Sequence, residues 1–281
     1  MRIVRTVGET RDAVRGARGE GMTIGFVPTM GALHEGHLSL LRRARAQCDY
    51  VVISVFVNPT QFNDPADLAA YPRDEARDAA MAREVGTDLF FAPPAAEMYP
   101  DAFATEITVA GLSEPLEGVM RGPSHFRGVA TVVAKLFNIV APDVAYFGQK
   151  DAQQAVIIRR LARDLDFPVR VEVCPTIREP DGLAMSSRNV RLDPSDRDRA
   201  LALRRGLDAA EAAIAAGERD AGKVRRAGRA AMRARAVDPD YFEVVSAETL
   251  RPLKVVEGEV LIAVAARVGA VRLIDNVLVR V

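Results

Sequence analysis

The amino-acid sequence predicts an α/β protein: a parallel sheet with helices on both faces, followed by a smaller C-terminal α+β domain. Three observations carry this. Apolar runs of strand length alternate with helical periodicities through the first two-thirds of the chain. One run, YVVISVFV at 50–57, is β-branched and apolar throughout, as suits a strand buried on both faces. Beyond about Asn189 the texture changes to two Ala/Arg-rich helical patterns and then three strand-like runs.

The elements follow in order. Segment 22–28 is a short apolar run ending in Pro28, read as a strand. Leu38, Leu40, Leu41 and Ala44 mark a helix over 37–48, and 50–57 is the next strand. A helix over 73–85 precedes a strand at 88–92. Val129, Val132, Val133, Leu136, Phe137 and Val140 recur at helical spacing, then come a strand at 144–147, a helix at 152–163 and a strand at 169–173. This order implies a Rossmann-like parallel sheet, whose ligands bind at the carboxyl ends of the strands. The polar, Gly-rich segments fall there, after Pro28, Val57, Phe147 and Val173. Helices at 194–217 and 221–236 and strands at 241–245, 260–268 and 271–279 make the second domain. The expected boundary lies inside 175–188, giving domains 1–180 and 181–281.

The bulk numbers exclude several classes. At 281 residues the chain buries a sizeable core without disulfides or metals. Its 38 basic and 38 acidic residues cancel, which argues against broad binding to nucleic acid or anionic membrane. Cys48 and Cys174 show no metal-ligand spacing, so a reducing cytoplasm is expected rather than a disulfide framework. There is no signal-peptide core, and no apolar run reaches membrane-spanning length.

Four stretches carry chemistry. The string Pro28-Thr29-Met30-Gly31-Ala32-Leu33-His34-Glu35-Gly36-His37 joins the first strand to the first helix. Such a turn presents backbone N–H groups and the positive end of a helix dipole, which suit phosphate. Gly31 and Gly36 allow close backbone approach, and His34 and His37, three apart, share a helix face. Their ring N–H groups suit developing phosphate charge; a loop with two solvated histidines is the plainer reading. Asn58-Pro59-Thr60-Gln61-Phe62 ends the second strand; Gln61 offers donor and acceptor, although a bare turn explains Asn-Pro-Thr equally well. Gly148-Gln149-Lys150-Asp151 leads into a helix carrying Gln154. Lys150 is a compact cation for phosphate oxygens, and Asp151 is either functional or a helix cap. Met185-Ser186-Ser187-Arg188 sets two hydroxyls beside a guanidinium, suited to pyrophosphate, at the domain boundary; the alternative is a Ser-rich linker.

His34-Glu35-Gly36-His37 resembles the His-x-Gly-His motif of the nucleotidyltransferase superfamily. The longer string from Pro28 to His37 resembles the pantothenate synthetase family, and the resemblance runs in matching order over nearly the whole chain. The segment at 148–151 is similar to the family's Gly-Glu-Lys-Asp, with Gln149 in place of Glu and a mainly backbone role expected for it. Met185-Ser186-Ser187-Arg188 resembles the superfamily's mobile Lys-Met-Ser-Lys-Ser-type loop. Leu116 to Val129 is also similar to the family, but Gly122 interrupts the usual Arg-Pro-x-His-Phe, leaving Arg121 without an assigned role and His125 readable as a core, capping or functional histidine.

The resemblance implies ATP-dependent joining of (R)-pantoate to β-alanine through a pantoyl-adenylate, with release of AMP and pyrophosphate. It implies catalytic roles for His34, His37, Lys150 and Arg188. ATP would meet Met30, Gly31, Ala32, Leu33, His34, Glu35, Gly36, His37, Gly148, Gln149, Lys150, Asp151, Ile177, Met185, Ser186, Ser187 and Arg188. Gln61 and Gln154 would meet pantoate. Mg²⁺ would bridge phosphate oxygens with Asp78 as an outer contributor, although the helix carrying Asp78 is also readable as a charged surface helix. A cytoplasmic homodimer with no nucleic-acid or membrane partner is implied. An adenylyltransferase and a non-catalytic nucleotide sensor are the rivals. Neutral Gln61 and Gln154 argue against the first, and both histidines together with Lys150 and the Ser-Ser-Arg loop argue against the second.

Overall fold

The structure is a computed structural model that describes residues 1–281, apart from the side chain of Pro123. The chain divides into two compact units, Met1–Gly148 with Ile157–Pro175, and Gln149–Val156 with Thr176–Val281.

The first unit begins with β1 (Arg2–Val4), α1 (Val7–Gly19), β2 (Ile24–Thr29), α2 (Glu35–Gln47) and β3 (Tyr50–Val55). It continues through α3 (Pro65–Ala70), α4 (Glu75–Glu84), β4 (Leu89–Phe91), α5 (Ala95–Met98), α6 (Glu117–Arg121) and α7 (Pro123–Val140). Then come β5 (Val144–Gly148), α8 (Ala152–Asp164) and β6 (Arg170–Cys174). The six strands form one parallel sheet in the order β1-β4-β3-β2-β5-β6. From β2 the chain builds outward on one side through β3 and β4 and later on the other through β5 and β6, so the sheet's order reverses there. Ligands bind at such a switch point, beyond the carboxyl ends of the strands. The β2–β3 register runs from Ile24 opposite Tyr50 to Thr29 opposite Val55, so the segments after both strands leave the same edge side by side.

Both strands are apolar on both faces because both faces are covered. Val27, Ile53 and Phe90 pack with Leu33 and with Leu38, Leu41 and Ala44 of α2, all buried. Full burial of each larger apolar side chain contributes roughly 1.5–3 kcal/mol.

The second unit contains α9 (Pro194–Ala200), α10 (Ala202–Ala215), α11 (Ala221–Arg233), β7 (Tyr241–Ser246), β8 (Glu259–Val268) and β9 (Val271–Arg280). The strands form an antiparallel sheet in chain order. Leu203, Leu207, Ile214, Val224 and Met232 pack with Phe242, Ile262, Val264 and Val277 in its core.

The fold class is the expected one. The details differ in places, each for a local reason. The strand expected to reach residue 57 ends at Val55, because the chain turns into a short 3₁₀ segment at Pro59–Gln61 capped by the Asn58 side chain. The helical pattern at 194–217 breaks at Leu201 into two helices. Helix α1 lies outside the sequence expectation, although Thr6 and Glu9 form a capping box at its start. The units part at Pro175 and Thr176, at the start of the segment 175–188, and 149–156 groups with the second unit. The side chain of Asn276 on β9 explains this: its amide donates to the carbonyls of Gln149 (2.9 Å) and Lys150 (3.0 Å).

Candidate active site

The turn between β2 and α2 is shaped by its own side chains. His34 is the N-cap of α2; its Nδ1 accepts the Gly36 N–H at 3.1 Å, and the His34 N–H donates to His37 Nδ1 at 3.3 Å. An accepting Nδ1 puts the ring proton of the neutral imidazole on Nε2, so both rings take the same tautomer. The ring centroids lie 4.1 Å apart. Two half-buried N–H donors thus sit together at the amino end of a helix.

Asp78 on α4 fixes the preceding part of the turn. Its Oδ2 accepts from the Ala32 N–H (2.8 Å) and its Oδ1 from the Leu33 N–H (2.7 Å). The carboxylate is buried; desolvation pushes its pKa above the usual aspartate range, and the two N–H bonds oppose that shift. Ala32 is held in the left-handed region at φ 52°, a conformation a non-glycine residue keeps only when its surroundings demand it. The groups that approach the glycines closely belong to the chain itself. A Cβ on Gly31 would meet Asp78 Oδ2 at 2.9 Å, and one on Gly36 would meet His34 Cε1 at 2.8 Å. Both Asp78 oxygens accept backbone N–H bonds, so this carboxylate has a part in holding the turn besides the outer metal role expected of it. The described residues contain no group of three His, Cys, Asp or Glu side chains able to hold a metal ion.

The remaining residues of this turn are less constrained. Met30 Sδ lies 2.9 Å from Gln61 Nε2, and Glu35 is exposed and pairs with Arg42. At the end of β3, Gln61 is half-buried at the 3₁₀ turn. His125 Nδ1 lies 2.8 Å from the Gln61 carbonyl, so it donates there and ties α7 to the turn. Arg121 instead pairs with the buried carboxylate of Glu117 at 2.8 Å. Sequence reasoning read Asn58 only as part of a turn and passed over Tyr99; Asn58 donates to the Gln61 side chain, and the Tyr99 hydroxyl donates to Asn58.

Gly148 ends β5, and Gln149–Asp151 forms a 3₁₀ turn into α8. Gln149 was expected to contribute through its backbone. Its side chain also acts, donating to Asn276 Oδ1 at 2.8 Å in exchange for the bond that Asn276 returns to its carbonyl. Lys150 is half-buried, with Asp151 at 3.7 Å from its ammonium. Gln154 lies half-buried on α8.

Residues 177–189 form a tight loop with a paired base. The Ile177 carbonyl accepts from the Met185 N–H (2.9 Å), and Glu179 and Leu183 bond across the loop (2.8 Å). Arg178 makes a bidentate pair with buried Asp275, at 2.7 and 3.0 Å. Buried Asn189 donates to Glu179 (2.6 Å) and to the Ala184 carbonyl (3.0 Å). Ser186, Ser187 and Arg188 are half-buried between these anchors, with the Arg188 N–H on Ser186 Oγ at 3.3 Å. Bidentate Arg–carboxylate pairs are directional and strong, so the base is rigid while the hydroxyls stay at the rim.

A family model described as pantoate-beta-alanine ligase matches residues 2–278. The chain belongs to the pantoate-beta-alanine ligase family. It is 53% identical over 277 residues to the pantothenate synthetase of Pelotomaculum thermopropionicum, covering 98% of each chain. It is 53% identical to that of Moorella thermoacetica, covering 100% of this chain and 99% of the relative. The crystal structure of pantothenate synthetase from Thermus thermophilus superposes with a TM-score of 0.92 at 49% identity, covering 99% of each chain. A Francisella tularensis pantoate-beta-alanine ligase, crystallised with β,γ-ATP and β-alanine, superposes at a TM-score of 0.77 with 33% identity, covering 99% of this chain and 97% of that one. This member of the pantoate-beta-alanine ligase family is therefore a ligase, with the parallel sheet and small antiparallel domain found in those structures.

Proposed function

We propose that this ligase condenses (R)-pantoate with β-alanine in two half-reactions. The pantoate carboxylate attacks the α-phosphorus of ATP, and the α–β phosphoanhydride bond breaks to release pyrophosphate. The amine of β-alanine then attacks the acyl carbon of the pantoyl-adenylate, loses a proton, and AMP leaves. A carboxylate is a poor acylating agent, and adenylation supplies the leaving group.

The observation that carries this reading is the paired tautomer of His34 and His37. Two ring donors fixed by backbone N–H bonds suit charge that develops on phosphate oxygens. Lys150, Ser186, Ser187 and Arg188 are assigned to phosphate oxygens as well, Lys150 as a point charge and Arg188 as a fork. Backbone and side-chain groups of Met30, Gly31, Ala32, Leu33, Glu35, Gly36, Gly148, Gln149, Asp151, Ile177 and Met185 complete the proposed ATP contacts. Gln61 and Gln154 are assigned to pantoate, because neutral amides suit a small hydroxy acid. The chemistry assigned to these groups is positioning and charge stabilisation. Mg²⁺ would accompany the nucleotide, held by its phosphate oxygens, and would neutralise part of their charge; no step is assigned to an ion held by Asp78.

A homodimer and a cytoplasmic location belong to the same proposal. Two free, buried cysteines are compatible with a reducing compartment. The test is product analysis. Incubation with ATP, Mg²⁺, pantoate and β-alanine should yield AMP and pyrophosphate in equal amounts with pantothenate. Formation of ADP and inorganic phosphate would place the attack at the γ-phosphorus and reject the reading.

A further inference from the structure

The 3₁₀ turn after β3 holds a hydrogen-bond relay that sets the polarity of one point in the proposed acid pocket. At its centre is Asn58, 1% exposed. Its Nδ2 lies 3.1 Å from the Gly128 carbonyl, a group that only accepts. Its Oδ1 receives the Thr60 backbone N–H at 3.4 Å, a group that only donates. These two backbone partners leave the Asn58 amide a single orientation. Its Nδ2 also lies 3.1 Å from Gln61, and the atom it meets must be an acceptor, Oε1. The Gln61 amide therefore has no choice either: Oε1 turns inward, and the donor Nε2 is the outward end, on the side of Met30.

Tyr99 closes the relay. Its hydroxyl donates to Asn58 Oδ1 at 2.8 Å, beside the Thr60 hydroxyl, which donates to the same oxygen at 2.9 Å. The ring is seated independently of the hydroxyl, at 6.1 Å from Phe56 and 5.1 Å, edge-on, from Phe103, with the Lys135 ammonium 4.5 Å from the Phe103 centroid. Burial pushes the Tyr99 hydroxyl above its usual pKa, which keeps it a donor. On the far side α7 comes unusually close: a Cβ on Gly128 would meet the Thr60 carbonyl oxygen at 2.5 Å and the Gln61 nitrogen at 2.9 Å. The absence of that Cβ lets the Gly128 carbonyl reach Asn58.

We propose that Tyr99 is a positioning residue for the acid substrate. The backbone partners set which way the Asn58 amide faces, and Tyr99, sharing the Asn58 oxygen with the Thr60 hydroxyl, steadies it there, so that Gln61 keeps its N–H end outward and the pocket, a hydrogen-bond donor at that point, selects a substrate with an acceptor oxygen, a hydroxyl or a carboxylate. This rests on the reading that Gln61 meets pantoate, and three variants separate the two ideas.

Steady-state kinetics with each substrate varied in turn gives the test. Gln61→Ala should raise the KM for pantoate with the KM for ATP unchanged; no change for pantoate would overturn the underlying reading. Tyr99→Phe removes one oxygen and keeps the seated ring. It should raise the KM for pantoate about fivefold, the size of one neutral hydrogen bond, with turnover at saturation and the KM for ATP as in the parent. Gln61→Glu keeps the acceptor that Asn58 needs but replaces the outward donor with a second acceptor. It should weaken pantoate by more than about tenfold. If Gln61→Ala behaves as stated but Gln61→Glu binds pantoate normally, the polarity is wrong and the proposal falls. It falls equally if Tyr99→Phe leaves the pantoate KM unchanged, or raises both KM values together, as a merely structural role would.

Discussion

Asp78 has a structural part that its sequence context does not show. A carboxylate at that position invites a metal role, and its two oxygens also hold the Ala32 and Leu33 N–H groups. In Asp78→Asn one of those donors faces an amide NH₂ instead of an oxygen. Losing a charge-assisted bond and leaving a buried donor opposed costs about 2 kcal/mol, or roughly thirtyfold in rate if the turn must hold its shape for catalysis. The loss should appear in turnover and in ATP rather than in pantoate, and extra Mg²⁺ should not restore it. Restoration by Mg²⁺ would return Asp78 to the metal role. The pH dependence has a definite sign. The folded carboxyl titrates above the unfolded one, so its favourable contribution is complete below the unfolded pKa and is lost as pH rises through the raised value. Denaturant titrations should therefore show the parent losing stability relative to Asp78→Asn across that acidic window, and a gain would contradict the shift.

This residue also shows where sequence reading stops. The two histidines, Lys150 and the Ser-Ser-Arg loop are legible because their chemistry lies in consecutive residues at the ends of strands. The bond from Asp78 to Ala32 spans 46 residues, and nothing local to either end announces it. Tyr99 and the further role of Asn58 were missed for the same reason: apart from the local bonds of Asn58 to Thr60 and Gln61, their partners are set by how α7 and the segment after β4 return to the β3 turn. Gln149 was underestimated because Asn276, its partner, is 127 positions away.

At the scale of the element, helix α11 sets propensity against packing. Gly228 lies mid-helix, where alanine is better by about 1 kcal/mol on intrinsic grounds. Yet a Cβ there would come within 2.2 Å of Cζ of Phe242, a fully buried ring on β7. Overpacking of this kind typically costs about 1–3 kcal/mol, and a buried ring has little room to yield. Packing should win, and Gly228→Ala should destabilise the protein by about 1–2 kcal/mol with substrate KM values unchanged. A rise in denaturation midpoint would show that the helix shifts off the sheet without penalty. The elements were legible where periodicity was long, as in β8 and α7. The short β1 lacked a pattern of its own, and its pairing with β4 supplies the missing determinant.

For the whole molecule, His34 and His37 belong to the first compact unit, and Lys150 and the Ser-Ser-Arg loop to the second. The overall class followed from the alternation of strand and helix patterns. The grouping of 149–156 with the second unit did not, since its bonds to Asn276 join positions more than a hundred residues apart. The central claim concerns order: an acyl-adenylate forms before the amine takes part. Isotope exchange tests it most directly. With enzyme, Mg²⁺, ATP and pantoate, and with β-alanine withheld, labelled pyrophosphate should enter ATP, and omitting pantoate should abolish the exchange. Exchange that appears only when β-alanine is present would contradict an adenylate formed from pantoate alone.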